Sequence, residues 1–185
     1  ATTEIYTLSL HERSSDLKIF RMKKRVLFVC LGNICRSPAA EAIFKMMVKE
    51  EGLSDVFMAD SAGLSGWHTG EAPDHRMVRQ AGSRGYNLDH RARQFDRKTD
   101  FDCFDLIVGM DDDNIRRLRD LARNDRDTQK IRKMVSFCST SEFMEVPDPY
   151  LVGADGFELV LDILEDACRG MLPELKKSQP TISME

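Results

Sequence analysis

Residues 26–30, Val-Leu-Phe-Val-Cys, run straight into Leu-Gly-Asn-Ile-Cys-Arg-Ser-Pro, and this junction limits what the chain can become. The apolar, β-branched run predicts a strand. Ser37-Pro38 predicts a helix immediately afterwards, with Ser37 as its cap and Pro38 at its first position, a reading that leaves Ser37 free to serve the loop as well. Only a tight loop joins the two. A cysteine and an arginine with five residues between them, followed by serine, can close such a loop around one tetrahedral oxyanion. Its N–H groups then point inward, and the helix directs its positive end at the same spot. The fork of Arg36 can hold two oxygens of that anion at once, which the point charge of a lysine cannot do. Positive potential of this kind favours a charged sulfur at Cys30. The pattern reads as a nucleophile beneath a phosphate.

The remainder alternates strand and helix. After a strand at residues 26–30 and a helix at 38–50, strands are expected at 56–62, 104–110 and 134–138. Further helices are expected at 74–82, behind the acidic start at residues 111–113, and at 155–171. Strands separated by helices imply a parallel sheet with right-handed crossovers. Sites in such sheets lie beyond the carboxyl ends of the strands, where the first strand delivers Cys30. Residues 1–21 are polar and lack a clear period, so they read as a flexible N-terminal extension, with a short strand at 5–10 open as an alternative. One domain is expected over residues 22–177, followed by a tail at 178–185.

Cleaving a phosphate ester from a cysteine needs an acid to protonate the leaving oxygen. Val146-Pro147-Asp148-Pro149-Tyr150 supplies a carboxyl group in a loop stiffened by two prolines, although Pro-Asp-Pro by itself is only a turn signal. With both motifs present, residues 22–172 resemble the low molecular weight protein tyrosine phosphatases, through Cys30–Pro38 and through Asp148-Pro149-Tyr150. Conventional tyrosine phosphatases share the cysteine–arginine spacing but place the acid upstream of the cysteine.

The resemblance implies a four-stranded parallel sheet flanked by helices, and phosphotyrosine hydrolysis through a phosphocysteine. It makes Cys30 the nucleophile, Arg36 the phosphate clamp and Asp148 the acid and then the base. Residues Leu31, Gly32, Asn33, Ile34, Cys35, Arg36 and Ser37 would bind phosphate, with Asn33 and Ser37 holding the loop. His90 and Arg93 match a pair that braces Asn33, and Asp111 matches an aspartate behind the pocket, although a helix N-terminal charge accounts for it equally. Trp67 and Tyr150 match the walls of a substrate groove, where each offers an aromatic face. Cys35 matches a partner for reversible disulfide formation with Cys30. A phosphotyrosine protein, a bacterial tyrosine kinase among the candidates, is the implied substrate. Related arsenate reductases pass a disulfide to further cysteines near the end of strand three, where this chain has Met110-Asp111. A related arginine phosphatase carries threonine where this chain has Ile34, whose aliphatic bulk suits an aryl ester better.

No metal or other cofactor is required, since Arg36 and the loop amides supply the positive charge. A net charge of −4 gives no reason to expect nucleic acid, and no apolar run approaches a membrane span of roughly 20 residues. Five cysteines without a regular framework suit a reducing, cytoplasmic setting. Cys103, Cys138 and Cys168 read as small buried apolar residues, and Arg116, Arg117 and Arg119 as a solvated helix face.

Overall fold

The apolar run becomes the centre of the sheet. The computed structural model describes residues 23–151 and 153–178. The extension at 1–21, the alternative strand at 5–10, and the tail apart from Ser178 lie outside the described residues. Strand β1 (Lys24–Cys30) pairs in parallel with β2 (Phe57–Gly63) on one side and β3 (Leu106–Gly109) on the other. Strand β4 (Ile131–Lys133) pairs with β3, giving the order β2-β1-β3-β4.

Side chains alternate across β1, so it serves two cores. Val26, Phe28 and Cys30 face helices α1 (Arg36–Glu50), α2 (His75–Ser83) and α6 (Ala154–Lys177). Leu27 and Val29 face Phe101 of α3 (Asp100–Cys103) and Ile115 and Leu118 of α4 (Asp112–Leu121). A strand covered on both faces has no polar side, which is why its sequence reads as a continuous apolar run. Another short helix, α5 (Asp125–Gln129), precedes β4. The expected four-stranded parallel sheet with helices on both faces is therefore the observed one.

The fourth strand, however, is not at residues 134–138. Met134–Phe137 forms a turn of 3-10 helix, and β4 is the short segment before it. Met134 and Phe137 are both buried in the first core, three residues apart. That spacing matches one 3-10 turn rather than the two-residue repeat of a strand. Gly170 of α6 makes the packing possible, because a Cβ there would collide with the Phe137 carbonyl oxygen. Helix α6 also continues beyond the expected end at residue 171, through Pro173, and buries Leu172 and Leu175 in the first core. Packing of that apolar face outweighs the loss of one helical hydrogen bond. Cys168 is buried and Cys138 partly so, but Cys103 is exposed at the end of α3, against expectation.

Strand register decides where chemistry can occur. Cys30 lies opposite Gly63, and Val29 opposite Gly109, so the loops leaving three strands gather at one edge of the sheet.

Candidate active site

The chain leaves β1 at Cys30 and must reverse into α1 within a few residues. Asn33 provides the bend with φ of 59°, the only non-glycine residue at positive φ among those described. Asparagine tolerates this conformation better than most side chains. Its buried amide is also fully engaged. Nδ2 donates to Ser37 Oγ at 2.9 Å and Ser61 Oγ at 3.0 Å, while Oδ1 lies 2.8 Å from His90 Nε2 and accepts the Arg93 N–H at 2.9 Å. Gly63 lets the loop lie directly on the end of β2, since a Cβ there would come within 3.1 Å of Leu31 O and Asn33 Cβ.

The thiol of Cys30 sits inside this bend. The Asn33 N–H points at Sγ from 3.3 Å, and Ser37 Oγ lies 3.0 Å from it. Helix α1 begins at Arg36, not at Pro38, and Cys35 occupies its cap position with no side-chain cap bond. Ser37 is therefore not the helix cap; its hydroxyl is taken up by Cys30 and Asn33. No acidic residue lies in the first turn either, so the positive end of α1 is left to the cavity above Cys30.

Arg36 is 3 % exposed and its guanidinium faces two carboxylates and a carbonyl. One terminal nitrogen donates to Asp111 Oδ2 at 2.6 Å and Val146 O at 3.1 Å, and the other to Asp148 Oδ2 at 2.9 Å. Burial opposes the charge, but Cys30, Asp148 and Asp111 together hold the pKa above its ordinary value. Asp111 does both things considered for it: Oδ2 holds Arg36, and Oδ1 caps α4 through the Asn114 N–H at 2.7 Å. Asp148 is half-exposed. With Pro147 and Pro149 on either side, the next donor downstream is the Tyr150 N–H, which bonds Asp148 Oδ1 at 3.1 Å.

These groups line a cavity of about 380 Å³. Cys30 and Arg36 form its depth; Leu31, Gly32, Ile34 and Cys35 form one side; Asp148, Trp67 and Tyr150 stand at the mouth. Trp67 is 79 % exposed and Tyr150 55 %, so neither aromatic is core packing. A larger open cleft of about 580 Å³ lies between Leu64, Gln94, Arg97, Arg117 and Leu121, but it contains no nucleophile. Burial, reinforced by Asp74, Cys30 and Asp148, pushes the Cys35 thiol well above its ordinary range. Cys35 is thus a neutral thiol beside Cys30.

Behind the loop, His90 Nδ1 faces Glu41 Oε2 at 3.2 Å, and the Ser61 hydroxyl donates to the same oxygen at 2.6 Å. Burial works against the Glu41 charge, but bonds from His90, Lys45 and Ser61 hold its pKa below the ordinary value. Arg93 braces Asn33 only through its backbone; its side chain turns away to Asp60 at 2.8 Å and Asp100 at 3.0 Å. Glu41, Asp60 and His90 lie close enough to suggest a cation, but Lys45 and Arg93 already neutralise the two carboxylates. Ser61 and Glu41 were missed in the sequence. The available signal was a polar residue inside a buried strand and an acid on an apolar helix face. Ser65 and His68, which also line the cavity, gave no signal of their own.

A cysteine and a forked arginine sharing one anion-binding bend, at the carboxyl end of a central parallel strand, define a cysteine-dependent phosphatase site. The chain belongs to the low molecular weight phosphotyrosine protein phosphatase family, whose description matches residues 25–181. It is 45 % identical over 158 residues to a low molecular weight protein-tyrosine-phosphatase of Streptomyces coelicolor, covering 84 % of this chain and 96 % of the other. A protein tyrosine phosphatase of Entamoeba histolytica superposes with a TM-score of 0.82 at 45 % identity, over 85 % of this chain and all of that one. A Drosophila arginine phosphatase superposes with a TM-score of 0.77 at 35 % identity, over 83 % and 98 %.

Proposed function

We infer that this protein hydrolyses phosphotyrosine in protein substrates through a phosphocysteine intermediate. The observation that carries this reading is the meeting of Cys30, Arg36 and Asp148 in one cavity with Trp67 and Tyr150 at its mouth. In the first step Cys30 attacks phosphorus while the loop amides and Arg36 hold the non-bridging oxygens. Asp148, released from Arg36 when phosphate enters, gives its proton to the tyrosyl oxygen as the P–O bond breaks. In the second step Asp148 takes a proton from water, which attacks the phosphocysteine and frees phosphate. Ser37, 3.0 Å from Sγ, stabilises the sulfur as it departs.

The lining favours an aryl ester, because Ile34 and the two mouth aromatics offer apolar contact to a phenyl ring. A tyrosine kinase is the protein substrate to try first, in a reducing cytoplasm where thiolate chemistry persists. For the fold itself, no helix among the described residues is long and apolar enough to cross a membrane.

The resemblance to an arginine phosphatase makes phosphoarginine the competing substrate. A panel of phosphotyrosine, phosphoserine and phosphoarginine peptides, with arsenate reduction run alongside, decides between them. Phosphotyrosine should give the highest kcat/KM, and Cys30→Ser should abolish turnover while still binding phosphate, since a hydroxyl is a far weaker nucleophile. Hydrolysis by a clean Cys30→Ser preparation, or a preference for phosphoarginine, would overturn the reading.

A further inference from the structure

Arg76 was not singled out by the sequence, yet it joins the two halves of the site. At the start of α2 its Nε and one terminal nitrogen bond both oxygens of Asp74, at 3.1 and 2.9 Å. Asp74 in turn donates its N–H to Ile34 O of the phosphate loop at 2.8 Å. On its other side, the guanidinium carbon lies 4.9 Å from the ring centroid of Phe157, a fully buried residue of α6, and 5.2 Å from that of Tyr150. The cation is thus pinned on an immobile ring and offers its second contact to an exposed one. Tyr150 then fixes Asp148 through its N–H, and Asp148 returns to the phosphate loop at Arg36. Ile34, Asp74, Arg76, Tyr150, Asp148 and Arg36 form a closed circuit around the mouth.

We propose that Arg76 is a positioning residue for Asp148, holding the acid loop at the distance that proton transfer requires. Two prolines restrict the loop internally, and Val146 anchors its start through its N–H to the Met110 carbonyl at 2.9 Å and its carbonyl to Arg36 at 3.1 Å. Beyond Asp148 the exposed Tyr150 ring takes over, and among its described contacts Arg76 ties that ring to the phosphate loop. A planar guanidinium suits this place because it can fork to a carboxylate while lying against aromatic faces, which an ammonium group cannot do. The alternative is an ordinary surface ion pair at a helix start, and such pairs contribute little.

This inference rests on Asp148 being the acid, so the experiment separates the two. The full chain is assayed for kcat/KM on phenyl phosphate, whose leaving group needs a proton, and on p-nitrophenyl phosphate, whose leaving group needs one much less. Variants are Arg76→Met, Arg76→Lys, Asp148→Asn and the Arg76→Met/Asp148→Asn pair. Inhibition by inorganic phosphate reports whether the anion loop is intact. Arg76→Met should lose roughly 10- to 100-fold on phenyl phosphate and several-fold less on p-nitrophenyl phosphate, with phosphate inhibition unchanged. Arg76→Lys should recover only part of the loss, and the double variant should be no slower than Asp148→Asn on phenyl phosphate. Equal losses on both esters, full activity in Arg76→Lys, additive losses in the double variant, or phosphate inhibition weakened in step with kcat/KM would each overturn the positioning role. If Asp148→Asn itself loses equally on both esters, the acid assignment falls and this inference falls with it.

Discussion

Replacing Asn33 tests the loop where conformation and hydrogen bonding can be separated. The side chain takes part in four hydrogen bonds at 2.8–3.0 Å, and the backbone sits at φ of 59°. At about 0.5–1.5 kcal/mol net for each bond, the four are worth about 2–6 kcal/mol. The lower half of that range applies, because two partners are not orphaned when the amide is removed. Ser37 Oγ keeps Cys30 Sγ at 3.0 Å, and Ser61 Oγ keeps Glu41 at 2.6 Å. The Arg93 N–H and His90 Nε2 lose more. Asn33→Gly should therefore cost about 2–4 kcal/mol. Asn33→Ala should cost about 1 kcal/mol beyond that, although alanine is the larger residue, because its Cβ is strained at positive φ. Against a typical stability of about 5–15 kcal/mol both variants still fold. Urea denaturation followed by circular dichroism measures the difference, and kcat/KM measured on the same samples should fall in both, since the Asn33 N–H no longer holds its aim at Cys30. Equal stability of the glycine and alanine variants would refute the conformational argument. A loss below about 1 kcal/mol in both would refute the hydrogen-bond argument.

Gly170→Ala should destabilise by about 2 kcal/mol or more despite alanine's better helix propensity, because the Phe137 carbonyl cannot yield as a side chain would; thermal unfolding would show it, and an unchanged midpoint would mean the 3-10 turn packs differently. Ile34→Thr should shift the ratio of phosphotyrosine to phosphoarginine efficiency toward phosphoarginine by about 1–3 kcal/mol, and an unchanged ratio removes Ile34 from the selection of substrate. Mild peroxide should inactivate reversibly: Cys30 becomes a sulfenic acid, and the Cys35 thiol displaces water from it to form a disulfide. Bound phosphate should protect and a dithiol restore, whereas Cys35→Ser should be lost for good; peptide mapping that pairs Cys30 with Cys103 or Cys138 counts against it. Lowering the pH should weaken the brace behind the loop. Glu41 has a depressed pKa, so its contribution is complete above the ordinary glutamate range and fades as pH falls through the lower folded value; Glu41→Gln should flatten that part of a stability–pH curve.

Sequence alone determined the elements whose causes are local. The run at residues 26–30 had to be a strand, and the contiguous residues 30–37 had to form a tight bend, because Cys30, Arg36 and a helix start lie within one short stretch of chain. The helices at 38–50 and 74–82 were readable from apolar spacing to within a residue or two at most boundaries. Tertiary structure decided what depends on partners far along the chain. Whether residues 134–138 paired as a strand or coiled against α6 turned on Gly170, more than thirty positions away, since β-pairing and 3-10 packing bury the same apolar side chains. Whether Ser37 capped the helix or served the thiol depended on Asn33, which was itself held by Ser61, His90 and the Arg93 backbone. The Pro-Asp-Pro loop was visible as a motif, but the contact of Asp148 with Arg36 was not, nor was the packing of Arg76 against Tyr150. Local propensity acts over a few residues, whereas sheet register and helix packing set which distant side chains meet, and only the folded chain specifies those meetings.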